Sequence, residues 1–227
     1  MKKVRVEFHV HTKFASACSC LDFETILGKA KKNKIDYTVI TDHNQISGAL
    51  AFRKFLKKKG EKLEVIIGEE IATREGEVIG FFLKERIRED QSVTKTCQEI
   101  LNQGGLIAIP HPFDTLRHKA LGADSKKIIK FSPLVEIFNA RIIFSKENKK
   151  AEKFCQENNL PSLVGSDAHM PSELSKTFIE MDNFKGAADF LEKLKNASFV
   201  TKKNSFPNIF TSLLVKKVRS FFKLKKN

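Results

Sequence analysis

Val4-Arg5-Val6-Glu7-Phe8-His9-Val10-His11, residues 4–11, alternates apolar with polar side chains and ends on a pair of histidines. A period of two is that of a β-strand. Histidines two apart on a strand share a side, so His9 and His11 aim at one point. The same kind of ending recurs downstream. An apolar strand at 37–41 runs into Asp42-His43-Asn44, and one at 63–67 into Gly68-Glu69-Glu70-Ile71. A third at 106–109 runs into Pro110-His111-Pro112, and a fourth at 162–164 into Gly165-Ser166-Asp167-Ala168-His169.

Helices are expected between these strands at about 23–33, 45–58, 92–103, 146–158 and 186–195, with further strands at 78–83 and 134–138. Asp22 offers a side-chain cap for the first helix, and Gly104-Gly105 a stop for the third. Strands alternating with helices imply an α/β fold with a largely parallel sheet. If that sheet closes into a barrel, the carboxyl ends of its strands share one face, and His9, His11, His43, Glu69 or Glu70, His111, Asp167 and His169 converge there. One strand-end histidine is usually a structural hydrogen-bonder. Five of the six histidines placed this way, with two carboxylates, read as a metal site. His118 falls outside the pattern and reads as a surface or substrate-side residue.

Imidazole and carboxylate suit manganese, iron or zinc alike. More ligands than one ion can take imply two or three divalent ions. Such ions activate water and steady a leaving phosphate oxygen.

The 227 residues suit one domain with a sizeable core. Apolar residues make up 41 % and charged residues 30 %, which excludes a disordered chain. No apolar run nears the roughly 20 residues of a membrane-spanning helix, and nothing at residues 1–4 reads as a signal peptide. Cys18, Cys20, Cys97 and Cys155 lack finger-like spacing and are too few for a disulfide scaffold, so reduced thiols in the cytoplasm are expected. Of the net charge of +14, eight positive charges fall in residues 201–227, which have no Asp or Glu, leaving only +6 for the first 200. We therefore divide the chain into a barrel at 1–200 and a basic C-terminal tail at 201–227. Residues 209–224 of that tail can form an amphipathic helix suited to docking on the barrel or to contact with an anionic membrane surface.

Phe8-His9-Val10-His11-Thr12, Ile40-Thr41-Asp42-His43-Asn44, Gly68-Glu69-Glu70-Ile71-Ala72-Thr73, His111-Pro112-Phe113-Asp114 and Gly165-Ser166-Asp167-Ala168-His169 resemble, in this order, the PHP (polymerase and histidinol phosphatase) superfamily. The resemblance implies a distorted barrel of seven β/α units, a trinuclear metal site, and hydrolysis of phosphomonoesters or phosphodiesters. It implies that His9, His11, Glu70 and Asp167 hold one ion. Glu70 would bridge to a second ion that uses His111, and His43 and His169 would belong to a third. Glu70 rather than Glu69 matches the family carboxylate. Glu136 or Asn139 stands where relatives often supply one more ligand. Ala17 stands where an acidic ligand is usual, with Cys18 beside it as a source of thiolate or as a plain free thiol.

The function expected is hydrolysis of a phosphate ester, a small phosphorylated metabolite or nucleotide, by metal-activated water. Asp167, His169 and His111 would manage charge and protons, and Lys13, Arg117 and Arg141 would contact phosphate. Two other readings are a nuclease-like module acting on DNA ends, with nucleic acid the less favoured partner, and a metal-binding or membrane-associated protein without activity.

Overall fold

The computed structural model describes residues 2–117 and 119–204. The expected tail helix and His118 lie outside these. Nine strands make one sheet, β1 Lys3–Val10, β2 Tyr37–Ile40, β3 Glu64–Ala72, β4 Glu77–Phe81, β5 Leu106–Ile109, β6 Leu134–Asn139, β7 Ser162–Gly165, β8 Phe178–Asp182 and β9 Ser198–Val200. Their order is β7-β6-β5-β4-β3-β2-β1-β8-β9. β1–β3 are mutually parallel, and so are β5–β7. The chain leaving β7 then returns to β1. Ser166 N and Ala168 N donate to Phe8 O and His9 O at 2.9 and 3.1 Å, and His11 N donates to Ala168 O at 3.0 Å. The sheet is thereby a nearly closed, distorted α/β barrel.

Helices α1 Phe23–Asn33, α2 Ser47–Lys59, α3 Val93–Asn102, α4 Ser145–Glu157 and α5 Gly186–Leu194 fall within a residue or two of the expected stretches. Asp22 caps α1 by accepting from Thr25 N at 2.8 Å. The sheet is less parallel than the strand–helix alternation implies. β3 continues past residue 67 and turns directly into β4, which is antiparallel to both β3 and β5. Gly76 makes this turn at φ 157°, where a Cβ would lie 2.9 Å from Leu121 Cα. Between β5 and β6, 3-10 turns over Gly122–Phe131 stand in place of a helix. The short antiparallel β8 and β9 were not expected from the sequence.

Buried apolar side chains form two clusters. In one, Ile26, Phe52 and Ile100 of α1–α3 pack against Val10, Ile40 and Ile67 of the sheet. In the other, Val4, Val6 and Phe8 of β1 meet Val39, Ile66, Ile79, Ala108 and Leu163 from neighbouring strands, with Phe184 and Phe190. This second cluster is the filling of the barrel. Phe8 belongs to it and Val10 to the first, because β1 is interrupted. His9 has φ 69°, and the pairing with β2 shifts register between Glu7 and Val10. One extra residue in a strand exchanges the faces beyond it. The bulge is what lets His9 and His11 share the interior side after three inward apolar residues.

Residues beyond β9 stay attached: Asn204 N donates to Ala140 O at 2.8 Å, and Lys202 N to Thr177 Oγ1 at 3.0 Å. Among the described residues, no helix is long and apolar enough to cross a membrane.

Candidate metal centre

The histidines and carboxylates at the strand ends meet above the apolar filling. His9 Nε2 lies 3.5 Å from Glu70 Oε1 and 3.7 Å from Asp167 Oδ1. His11 Nε2 lies 3.4 Å from Glu70 Oε2 and 3.6 Å from the same Asp167 oxygen. His43 Nδ1 and His111 Nε2 reach the two oxygens of Glu70 at 3.0 and 2.9 Å. His169 Nδ1 lies 2.8 Å from its neighbour's carbonyl, Asp167 O, which leaves Nε2 for other work. All seven expected ligands are therefore in one cluster. They group as His9–His11–Glu70, His9–His111–Asp167 and His11–His43–His169.

Each is positioned by a local irregularity or an orienting partner. His9, His111 and Asp167 have φ of 69°, 29° and 48°, conformations that non-glycine residues rarely adopt. Glu136 Oε1 takes His9 Nδ1 at 2.9 Å, and Glu136 Oε2 accepts from His111 N at 2.7 Å and Asn139 Nδ2 at 2.8 Å. Asn139 Nδ2 also donates to Asp167 Oδ2 at 3.1 Å. Glu136 and Asn139 thus hold ligand residues from behind, the usual arrangement for a ligating histidine and carboxylate. Gly165 makes room for this: a Cβ there would fall 1.7 Å from Glu136 Oε1. Asp42 does similar work on the loop after β1, accepting from Thr12 N, Thr12 Oγ1 and Ser16 Oγ, all at 2.7 Å. Glu69 points the other way, accepting from Ile87 N at 2.9 Å, as successive strand residues must.

The donor set fits divalent ions. His9 Nε2, His11 Nε2, His111 Nδ1 and Asp167 Oδ1 are buried without a hydrogen-bond partner among the described residues. Buried polar atoms are normally paired, so unpaired atoms converging on carboxylates mark a place for a cation. Burial resists charge on His9, yet Asp167, Glu136 and Glu70 outweigh it and raise its pKa. Burial with the charges of His169 and His43 lowers that of His11. Burial also opposes ionisation of Asp167 and Glu70. Arg117 and His9 nevertheless hold Asp167 well below the carboxylate range, and His9 and His43 do the same for Glu70. Both carboxylates are thus anionic, as ligands must be.

The three phosphate-contact candidates are placed differently. Arg117 Nη1 lies 2.5 Å from Asp167 Oδ2 and its Nε 3.1 Å from Asp114 Oδ2, inside the cluster. Arg141 is buried behind it, 3.4 Å from Glu173 Oε2, which also accepts from His169 N at 2.7 Å. Lys13 is exposed, and its charge acts on Asp22.

Glu77 goes beyond the sequence reading, which leaves Cys18 between two alternatives. Glu77 is buried at the start of β4, 3.8 Å from His43 Nδ1 and 4.0 Å from His111 Nε2, and forms a further group with His43 and Glu70. Because β4 is antiparallel, its amino end lies on the face that the other strands reach with their carboxyl ends. A search for residues after strands misses it. Cys18 is buried and receives hydrogen bonds from His169 and His43. Burial alone would raise its pKa, but these histidines bring it down to about 5.

The fold and the cluster together define a barrel built to hold divalent metal ions at one mouth. Comparison with known proteins gives the family. Over 99 % of its length the chain is 31 % identical to an uncharacterized protein of Methanocaldococcus jannaschii, covering 84 % of that protein. A second uncharacterized protein of that organism is 40 % identical over 52 % of the chain and 73 % of its own length. Residues 145–199 match the PHP-associated family model PHP_C. A two-domain protein of Bacteroides vulgatus containing a predicted PHP-like metal-dependent phosphoesterase shares the fold, with TM-score 0.68 and 17 % identity over 87 % of this chain. This chain spans 64 % of that protein's length. PsfC of Pseudomonas syringae has TM-score 0.68 at 13 % identity, over 96 % of this chain and 99 % of its own. A lesion-specific endonuclease of Pyrococcus furiosus has TM-score 0.57 at 16 % identity, over 87 % and 58 %. The chain belongs to the PHP superfamily.

Proposed function

We propose that this protein hydrolyses phosphate esters with two or three divalent ions held by His9, His11, His43, Glu70, His111, Asp167 and His169. The observation that carries the reading is the pair of buried ring nitrogens, His9 Nε2 and His11 Nε2, that face Glu70 and Asp167 and have no hydrogen-bond partner among the described residues, with Arg117 beside them. When bound, such ions supply positive charge for the phosphate oxygens and lower the pKa of water to make a nucleophile. Zinc, iron and manganese all suit the ligands.

The chain's own groups do the rest. Glu136 takes Nδ1–H of His9 and so fixes the tautomer that turns Nε2 inward. Asp167 O does the same for His169, and Asp167 Oδ1 remains turned into the cluster, where its charge would help to position and polarise a water. His169 and His111 balance the charge that develops and return a proton to the leaving oxygen. The fork of Arg117 matches two phosphate oxygens, with Arg141 adding charge behind it and Lys13 at the exposed rim. The substrate class we favour is a small phosphomonoester, metabolite or nucleotide. DNA is the second reading, favoured by the net charge of +14 and the shared fold with an endonuclease.

The test is phosphate release from a panel of nucleotides and sugar phosphates with manganese, beside short DNA as a diester. Release by the wild type and none by His9→Ala is expected. Binding of metal with no release from any member would show a degenerate site. Cleavage of DNA alone, weakening steeply with salt, would favour the second reading.

A further inference from the structure

The two sides of the cluster differ in the loop that lies over them. Glu70 and Asp167 serve His9 and His111, with Glu136 behind. His11, His43 and His169 form a group of three imidazoles, with Glu70 3.4 Å from His11 Nε2 and 3.0 Å from His43 Nδ1 at its edge. Their ring centroids lie 4.6 Å (His11–His43) and 4.3 Å (His11–His169) apart, and His11 Nε2 is fully buried and unpaired among the described residues.

The loop after β1 brings a thiol to this place. It is pinned on both sides of residue 18. Ser16 Oγ donates to Asp42 Oδ1 at 2.7 Å and accepts from His43 N at 3.2 Å. Ser19 Oγ donates to His11 O at 2.7 Å, and Cys20 N to His169 O at 2.8 Å. The loop thus touches all three histidine segments. Within it Ala17 is exposed and Cys18 is 8 % exposed, its thiol hydrogen-bonded to His43 and His169. The position facing the histidines is 18, not 17.

We propose that Cys18, as thiolate, joins His11, His43 and His169 in a sulfur-containing metal site that takes zinc in preference to manganese. The inference rests on the metal-dependent reading above. One thiolate with imidazoles is a zinc-type donor set, whereas manganese favours oxygen ligands. On binding, the S–H bond is lost as the S–metal bond forms, and the proton leaves to solvent.

Cobalt(II) titration of the full chain tests this without turnover. The wild type should develop a thiolate-to-cobalt charge-transfer absorption in the near ultraviolet. Cys18→Ser should lose it together with one bound ion per chain, and Cys20→Ser should keep both. Zinc affinity at this position should fall in Cys18→Ser, and manganese affinity should change less. Cys18→Asp should recover the ion without the absorption, which guards against a serine variant that fails to fold. Cobalt bound by the wild type without the absorption, or an absorption that survives in both Cys18 variants, overturns the thiolate site and leaves the proposed hydrolase standing. A wild type that binds no cobalt, zinc or manganese overturns both.

Discussion

The lower and upper halves of the barrel interior are built on opposite rules. Below, Phe8, Phe81 and Phe190 pack with ring centroids 5.3 Å (Phe8–Phe81) and 5.6 Å (Phe81–Phe190) apart, edge to face, in ordinary strand and helix conformations. Above, His9, His111 and Asp167 of the polar cluster take positive φ, and buried ring nitrogens have no hydrogen-bond partner among the described residues. The lower half lowers the free energy of the fold. The upper half raises it and is held in place by what lies below, as expected where binding sites store strain. The boundary is one peptide: Phe8 packs in the filling, and His9 opens the polar mouth.

The largest separation of the two halves comes from Glu70→Gln against Phe190→Ala. Glu70→Gln removes the charge shared by four histidines, so phosphate release should fall by about 10³-fold or more, with bound metal reduced. Thermal stability without metal should change little, because the amide still fills the space. Phe190→Ala should destabilise by about 3–5 kcal/mol through the cavity it opens, while folded protein keeps its metal content. Denaturant melts and metal analysis on both variants check this. A Glu70→Gln variant that unfolds as readily as Phe190→Ala would erase the division.

Gly165→Ala probes the seam between the halves. Its Cβ would occupy the place of Glu136 Oε1 and press on His9 Cβ at 3.2 Å. Expulsion of Glu136 would release His9 Nδ1, His111 N and Asn139 at once. A loss of metal affinity of about 10–100-fold is expected, the usual size for removing an orienting partner. Glu136→Gln, with room and a donor–acceptor amide, should lose less. Equal losses would mean that steric damage rather than orientation is at work.

Much of this was readable from residues 4–11 and the strand-ending phrases, because hydrophobic periodicity and histidine placement are local signals. The five helices, and the seven strand-end residues that converge on one cluster, follow from them. What could not be read depends on contacts distant in sequence. Nothing in the spacing of His9 announces the bulge, since alternation looks unbroken in the text. Glu77 required knowing that β4 runs antiparallel. Glu136 stands in the middle of an apolar strand and shows its role only once Gly165 is seen to admit it. The phrase around residue 17 draws attention to a missing carboxylate. The loop's own hydrogen bonds decide that residue 18 is the one turned inward.

Arg117→Lys gives the smallest and most selective effect. The Arg117 fork spans two carboxylates, Asp114 and Asp167, so its position is fixed in the absence of substrate. Burial works against its charge, but Asp167 and Asp114 raise its pKa, so it stays cationic throughout. Lysine keeps the charge and loses the planar pair of donors. Metal content should therefore be unchanged and the fold intact. KM for the phosphate ester should rise about tenfold, equivalent to roughly 1.4 kcal/mol, as the bidentate contact is lost, with kcat altered less. An unchanged KM beside a lowered metal affinity would mean that Arg117 serves only to neutralise Asp167. The arginine would then belong to the ligand scaffold of the upper half and not to its substrate face.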